Sequence, residues 1–171
     1  MALSLLFIVH HVQSFEVILL HTYFVENMIG MRFDYVTSRH WDELLKAVAP
    51  NVHHRFAGVH SLGGKCHNKG TLHLWFKRFG RVVLSNLNLK VNSTSVNGWP
   101  WHTTVFVQYD VTATLFDGND SYFNRSLHVI TLRWGSVYVL DVFEDTQEVA
   151  RSLAAQVAAG LKEAVATQIV C

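Results

Sequence analysis

Thr103 to Phe116 reads TTVFVQYDVTATLF, Ser121 to Trp134 reads SYFNRSLHVITLRW, and Ser136 to Glu144 reads SVYVLDVFE. These three runs, with Val82 to Val91 before them, are long, β-branched and aromatic, and Asn97-Gly98, Asp117-Gly118 and Trp134-Gly135 separate them. Such turn chemistry between strand-like runs predicts an antiparallel meander. Long neighbouring strands twist and curl, so the sheet is expected to be curved, with a concave side to be filled.

The segments before the meander supply the filling. Phe24, Met28, Met31 or Phe33 and Tyr35 recur at roughly helical spacing as far as a break at Thr37-Ser38. Thr37 or Ser38 is then expected to cap a short helix, Trp41 to Val48, which Pro50 ends. Val52 to Phe56 reads as a short strand, Gly58 to Gly64 as a turn, and Asn68 as the start of a third helix. That helix carries Leu72, Trp75, Phe76 and Phe79 at i, i+3, i+4 and i+7. Asp145 to Glu148 resembles a capping box opening a last helix, Thr146 to about Thr167. Helices followed by a curled sheet make the class α+β, with N-terminal helices closing the concave face of a cone and a C-terminal helix after it.

The chain has 171 residues, 50% hydrophobic and 16% charged, against a usual charged share of about 25%. Disorder and coiled coil are excluded by that balance. A net charge of +1 offers no footprint for nucleic acid. Residues 25–171 read as one domain, and residues 1–24 as an apolar extension or the start of a helix. From Met1 to Phe24 the only formally charged side chain is Glu16, yet no basic residue precedes the apolar run, and His10, His11 and Gln13 interrupt it. No membrane span and a cytoplasmic location are expected, and the sequons at Asn92, Asn119 and Asn124 are then not used. Cys66 and Cys171 form no disulfide framework, in keeping with a reducing compartment.

Asn51 to Gly58 (NVHHRFAG), Ser61 to Gly64 (SLGG), Trp75-Phe76, Asp117-Gly118 through Tyr122 to Arg125 (YFNR), Leu132 to Gly135 (LRWG) and Glu144 to Gln147 (EDTQ) occur in an order that resembles the SnoaL-like branch of the nuclear transport factor 2-like superfamily. The resemblance runs from about Glu26 to about Ile169. It implies a strongly bent antiparallel sheet, helices in its mouth, an apolar pocket and a homodimer through the outer face of the sheet. Members include polyketide cyclases, epoxide hydrolases, ketosteroid isomerases and pure binding modules, so the fold leaves the function open. The implied ligand is a small hydrophobic, oxygenated organic molecule, with no cofactor. The reading is cyclase-like or isomerase-like acid-base chemistry; the alternative is a non-catalytic binding or dimeric interaction module.

Catalysis in such a cone rests on a carboxylate whose pKa is tuned by the apolar wall. Side chains alternate along Ser136 to Asp145, giving Tyr138, Leu140, Val142 and Glu144 on one face and Val137, Val139, Asp141 and Phe143 on the other. If Asp145-Thr146 is matched to the end of the equivalent cyclase strand, the cyclase aspartate falls on Val142 and its histidine on Leu140. Asp141 enters the pocket only if a bulge shifts the strand by one residue; otherwise it faces out, toward Arg133. Glu144 is either a pocket carboxylate or a partner of the following helix N-terminus. His128 shares the face of Asn124, Ser126, Ile130 and Leu132, and is either an acid-base group or a hydrogen-bonded core histidine. Tyr109, with Val105, Val107 and Val111, either donates to a ligand oxygen or fills the core. Phe56, Trp75, Trp101, Leu140 and Val142 are the candidate ligand-binding wall, Trp101 as part of a rim at Trp99-Pro100-Trp101.

Other chemistries find no pattern. An epoxide-hydrolase Asp-Arg-Asp set is missing, and Asp34 and Asp42 carry no ketosteroid-isomerase motif. Gly63-Gly64-Lys65 lacks the remainder of a phosphate loop. The eleven histidines suggest metal, but His53 and His54 are adjacent on a strand and point to opposite faces, and neither H-E-x-x-H nor C-x-x-C occurs. No metal is expected; one of that pair belongs to the core or pocket, the other to the surface.

Overall fold

In a computed structural model of the chain, residues 2–82, 85–115 and 121–169 are described, with side chains from Glu16 onward except at Ser85. The Asp117-Gly118 turn and Cys171 lie outside the described residues. The elements in chain order are α1 (Ala2–Thr37), α2 (Trp41–Lys46), β1 (Val48–Phe56), β2 (Gly64–Cys66), α3 (Lys69–Val82), β3 (Ser85–Trp99), β4 (His102–Thr114), β5 (Ser121–Arg133), β6 (Ser136–Phe143) and α4 (Thr146–Ala158). A 3-10 turn, Lys162–Val165, follows. The class is α+β, and the sheet is curved and unclosed, in the order β2-β1-β6-β5-β4-β3.

Strands β3 to β6 form the expected antiparallel meander. The sheet as a whole is mixed, because β1 pairs parallel with β6, placing His54 beside Leu140, Arg55 beside Asp141 and Phe56 beside Val142. A parallel pair needs a long crossover, and here α3 and the meander itself carry the chain from β1 round to β6.

The inner face reads off the alternation. Thr103, Val105, Val107, Tyr109 and Val111 on β4 are buried, while Phe106, Gln108 and Thr112 are exposed. Trp134 and Gly135 turn the β5–β6 hairpin at φ 50° and 78°, the left-handed pair that a two-residue turn requires. Asn97-Gly98, expected as a turn, lies within β3 instead; Trp99 pairs with His102, so the reversal is at Pro100-Trp101. Gly98 serves a close approach rather than a turn: at φ +105° its Cβ would come 2.3 Å from the His102 carbonyl oxygen.

The helices depart from expectation at their edges. On α1 the buried stripe is Val25, Ile29, Arg32 and Phe33, whereas Phe24 and Met31 are exposed; the helix is continuous through residue 24. His40, not Ser38 or Thr37, occupies the cap position of α2, because the Ser38 hydroxyl donates to the Asp34 carbonyl at 2.6 Å. Val48 belongs to β1, and Pro50 sits where the β1–β6 register shifts, a place that tolerates a missing N–H. Asn68 caps α3 as expected, accepting from Thr71 N at 2.8 Å. Asp145 caps α4, accepting from Gln147 N at 2.9 Å. That helix stops at Ala158, not Thr167, because Gly160 at φ +96° lets Leu161 N close back on the Gln156 carbonyl. Among the described residues no helix is long and apolar enough to cross a membrane.

Candidate functional site

A cavity of about 80 Å³ lies between the concave face of the sheet and α1, α2 and α3. Its wall is apolar, from Ile29, Phe33, Leu72, Trp75, Phe76 and Val142 among others, with polar side chains from Arg32, His54, Tyr109, His128 and Glu144. The Trp75 indole is fixed by its N–H donating to the Leu62 carbonyl at 2.8 Å, and its ring lies 4.6 Å from that of His54.

Strand register sets the levels of the cavity. Ile130, Leu140 and His54 are neighbours across β5, β6 and β1; His128, Val142 and Phe56 form the next row. Leu140 and Val142, which the cyclase match makes the histidine and aspartate positions, therefore line the cavity without a polar group. Imidazoles reach the same two rows from the flanking strands, His54 beside Leu140 and His128 beside Val142.

His128 Nε2 and the Tyr109 hydroxyl are 2.6 Å apart. They are diagonal neighbours, since Tyr109 pairs with Ser126 and His128 with Val107, and the Phe33 ring packs 4.9 Å from Tyr109 and 5.4 Å from His128. Burial pulls the His128 pKa down to about 3, helped by nearby His54, so the imidazole is neutral at pH 7. Tyr109 is pushed well above the usual phenol range by burial and then by the Glu144 charge. The result is an uncharged, hydrogen-bonded pair in a low-dielectric wall.

Glu144 turns inward at the end of β6. Asp145 takes the capping role, so the expectation that Glu144 serves the helix N-terminus gives way to a cavity position. Its Oε2 accepts from the Tyr122 hydroxyl at 2.5 Å. Asn124 Nδ2 donates to that hydroxyl at 2.8 Å and to the Asp145 carbonyl at 3.1 Å, while Asp145 N donates to Asn124 Oδ1 at 3.0 Å. Burial raises the Glu144 pKa, an effect that the Tyr122 and Ser126 hydroxyls temper. Beyond it, under α4, lies a second cavity of about 30 Å³, so Glu144 stands in the wall between the two.

Two sequence candidates fall elsewhere. Asp141 is on the outer face of β6, where Arg55 of the adjacent strand lies opposite it at 3.4 Å. A bulge is present in β6, but at Tyr138, between the pairs Thr131–Val139 and Leu132–Val137. It brings Val137 to the cavity beside Leu140 and leaves the phase of Asp141 untouched. Trp101 stands at the β3–β4 turn, 54% exposed, stacked on Trp99 at 5.5 Å with Trp134 at 6.3 Å, and does not line the cavity. Phe56, Trp75, Leu140 and Val142 do line it.

Of the histidine pair on β1, His54 points in and His53 out, against His67 at 2.8 Å. Neither ring nitrogen of His54 has a hydrogen-bond partner, and burial lowers its pKa to about 4. Among the described residues no group of three or more His, Cys, Asp or Glu side chains is arranged to hold a metal. Arg32 escaped the sequence reading, although its place beside Phe33 on the Val25–Ile29 stripe was the available signal. It is 8% exposed; its Nη2 donates to the Gly135 carbonyl at 2.7 Å, and its Nη1 has no partner.

No protein-family model matches the chain, and no curated protein matches it. Solved structures do. A nuclear transport factor 2-like protein of unknown function from Burkholderia pseudomallei is 18% identical, covering 74% of this chain and 95% of its own, at a TM-score of 0.64. A protein of ketosteroid isomerase-like fold from Catenulispora acidiphila, in complex with trimethylamine, is 9% identical over 73% of this chain and 90% of its own, at 0.59. ActVI-ORFA from Streptomyces coelicolor is 14% identical over 71% and 94%, at 0.55. Levels of identity this low establish architecture alone: the chain has the nuclear transport factor 2-like fold, a helix-lined cone whose first cavity has an apolar wall carrying Arg32, His54, Tyr109, His128 and Glu144.

Proposed function

We propose that the cone binds a small, mainly apolar molecule bearing a carbonyl or hydroxyl oxygen, and that Tyr109 and His128 move a proton at it without a cofactor. The observation that carries this reading is the 2.6 Å Tyr109–His128 contact inside a mainly apolar wall. A neutral phenol is a donor that polarises a carbonyl oxygen, and the neutral imidazole bonded to it accepts or returns the proton. Glu144, its pKa raised, is the carboxyl group for a proton on carbon; Asp141 has no part, being on the other face. The size of the cavity restricts the ligand, since about 80 Å³ is roughly half of an engineered apolar cavity of about 150 Å³ that admits benzene. The Catenulispora protein of the same fold is in complex with trimethylamine, a molecule of that scale.

The test is α-proton exchange of acetone and cyclobutanone in D2O, followed by NMR. Exchange above the buffer rate is expected, with a loss of about 10²-fold or more in His128→Ala and a smaller loss in Tyr109→Phe. Exchange that His128→Ala leaves intact overturns the assignment. Binding without exchange turns the reading to a non-catalytic ligand-binding module, which the apolar Leu140 and Val142 positions favour. The homodimer belongs to the same proposal: Phe106, Phe123, Leu127 and Phe143 are exposed on the outer face of the sheet, an apolar surface suited to a second copy.

A further inference from the structure

We infer that the ligand of this cavity is a small carboxylate, and that the buried Arg32 guanidinium is its counter-charge. The inference rests on the cavity being a ligand site, and adds the class of ligand.

A guanidinium is an unusual group to seal in an apolar cavity. It cannot be neutralised at working pH, and a desolvated cation is tolerated only with a counter-ion or a full set of acceptors. Arg32 has neither among the described residues. One nitrogen is used on the Gly135 carbonyl, Nη1 is buried without an acceptor, and no carboxylate pairs with it. Burial lowers its pKa to about 10, so it remains a cation at neutral pH. The other titratable groups facing the cavity cannot compensate it. His54 and His128 are neutral, Tyr109 is protonated, and Glu144 is at the far end of β6 from Gly135, held by Tyr122.

The second observation is His54, 2% exposed, with both ring nitrogens unpartnered and its side chain in the same cavity wall. A cationic donor and an unsatisfied imidazole lining one cavity describe a site completed by an oxygen-rich anion. A planar carboxylate matches the fork of a guanidinium. An alcohol or an amine leaves the charge unmet, and an inorganic dianion lacks the apolar part that Ile29, Leu72 and Val142 would cover. Free space of about 80 Å³ limits that part to a few carbon atoms.

The experiment compares isobutyrate with its isostere isobutyramide, titrated into the full chain at pH 7 and followed by NMR at the methyl groups of Ile29 and Leu140. Isobutyrate is expected to bind the wild type at least tenfold more tightly, and Arg32→Met to bring the two within about twofold while isobutyramide binding persists. If isobutyramide binds as well as isobutyrate, or if Arg32→Met keeps the preference, the carboxylate inference is overturned while the cavity stands as a ligand site. Binding of neither probe at the cavity methyl groups removes the ligand-site reading and the inference together. The wild-type comparison needs no variant to fold, and acetate against acetamide in a thermal-shift assay repeats it with a smaller pair.

Discussion

Replacing Tyr122 with Phe removes one oxygen beside the wall between the two cavities and tests whether Glu144 is a buried carboxylate held by hydrogen bonds. The ring of Tyr122 is buried, and its hydroxyl donates to Glu144 and accepts from Asn124. A buried hydrogen bond to a charged group contributes about 1.5–3 kcal/mol. The Asn124 amide keeps the Asp145 carbonyl at 3.1 Å, so its loss adds little. The expected cost is about 2–3 kcal/mol at pH 7, equivalent to a fall of roughly 5–10 °C in melting temperature for a chain of this length. In a Glu144→Gln background the acceptor is neutral and the same change should cost about 1 kcal/mol. The coupling energy is then about 1–2 kcal/mol, read from urea unfolding of the four proteins in the double-mutant cycle. Below about pH 4.5, where a carboxyl of raised pKa is protonated, the cost in the Glu144 background should fall toward the Gln value. An equal cost of Tyr122→Phe in both backgrounds, or one below about 0.5 kcal/mol, refutes the reasoning.

Stability should also fall with acid in a particular window. His54 and His128 bind protons less readily folded, with pKa values near 4 and 3 against 6.5 unfolded, so their contribution is present above pH 6.5 and lost as pH falls toward 4 and then 3. Each supplies a slope of about 1.4 kcal/mol per pH unit in that window, and His54→Leu should remove one of the two in urea titrations. Asp141→Asn is expected to change stability by no more than about 1 kcal/mol, because the Arg55 pair is partly exposed, and to leave isobutyrate binding unchanged; loss of binding would contradict the outer-face position.

The meander and its inner face were legible in the sequence because burial alternates along β4 and along β5 as far as Leu127: Val105, Val107 and Val111 mark the side of Tyr109, and Arg125 and Arg133 on the opposite face mark that of His128. The pairing of β1 with β6 was not, since no local signal records which strand a distant segment joins. Asp141 stayed ambiguous for a related reason. A bulge shifts the phase only on one side of itself, and its place at Tyr138 depends on cross-strand pairing rather than on the residues of β6. Asn97-Gly98 has turn chemistry but is used for a close backbone approach, which sequence cannot separate from a turn. Arg32 was passed over because a charged residue on a helix is ordinarily solvated; its burial depends on the Gly135 carbonyl reaching it from the other end of the chain.

The parallel seam between β1 and β6 has a kinetic consequence. Val48 meets Val137 only after the whole intervening chain has been made, and contacts of such long span carry their loop-closure cost before they return any stability. On the ribosome β1 can pair with β2 and pack against Trp75 early, but its other edge has no partner until β6 emerges, so the cone can close only after Phe143 has been made. Until then Arg32 lacks the Gly135 carbonyl and His54 lacks its neighbour Leu140, so the site is assembled only when the final strand of the sheet arrives.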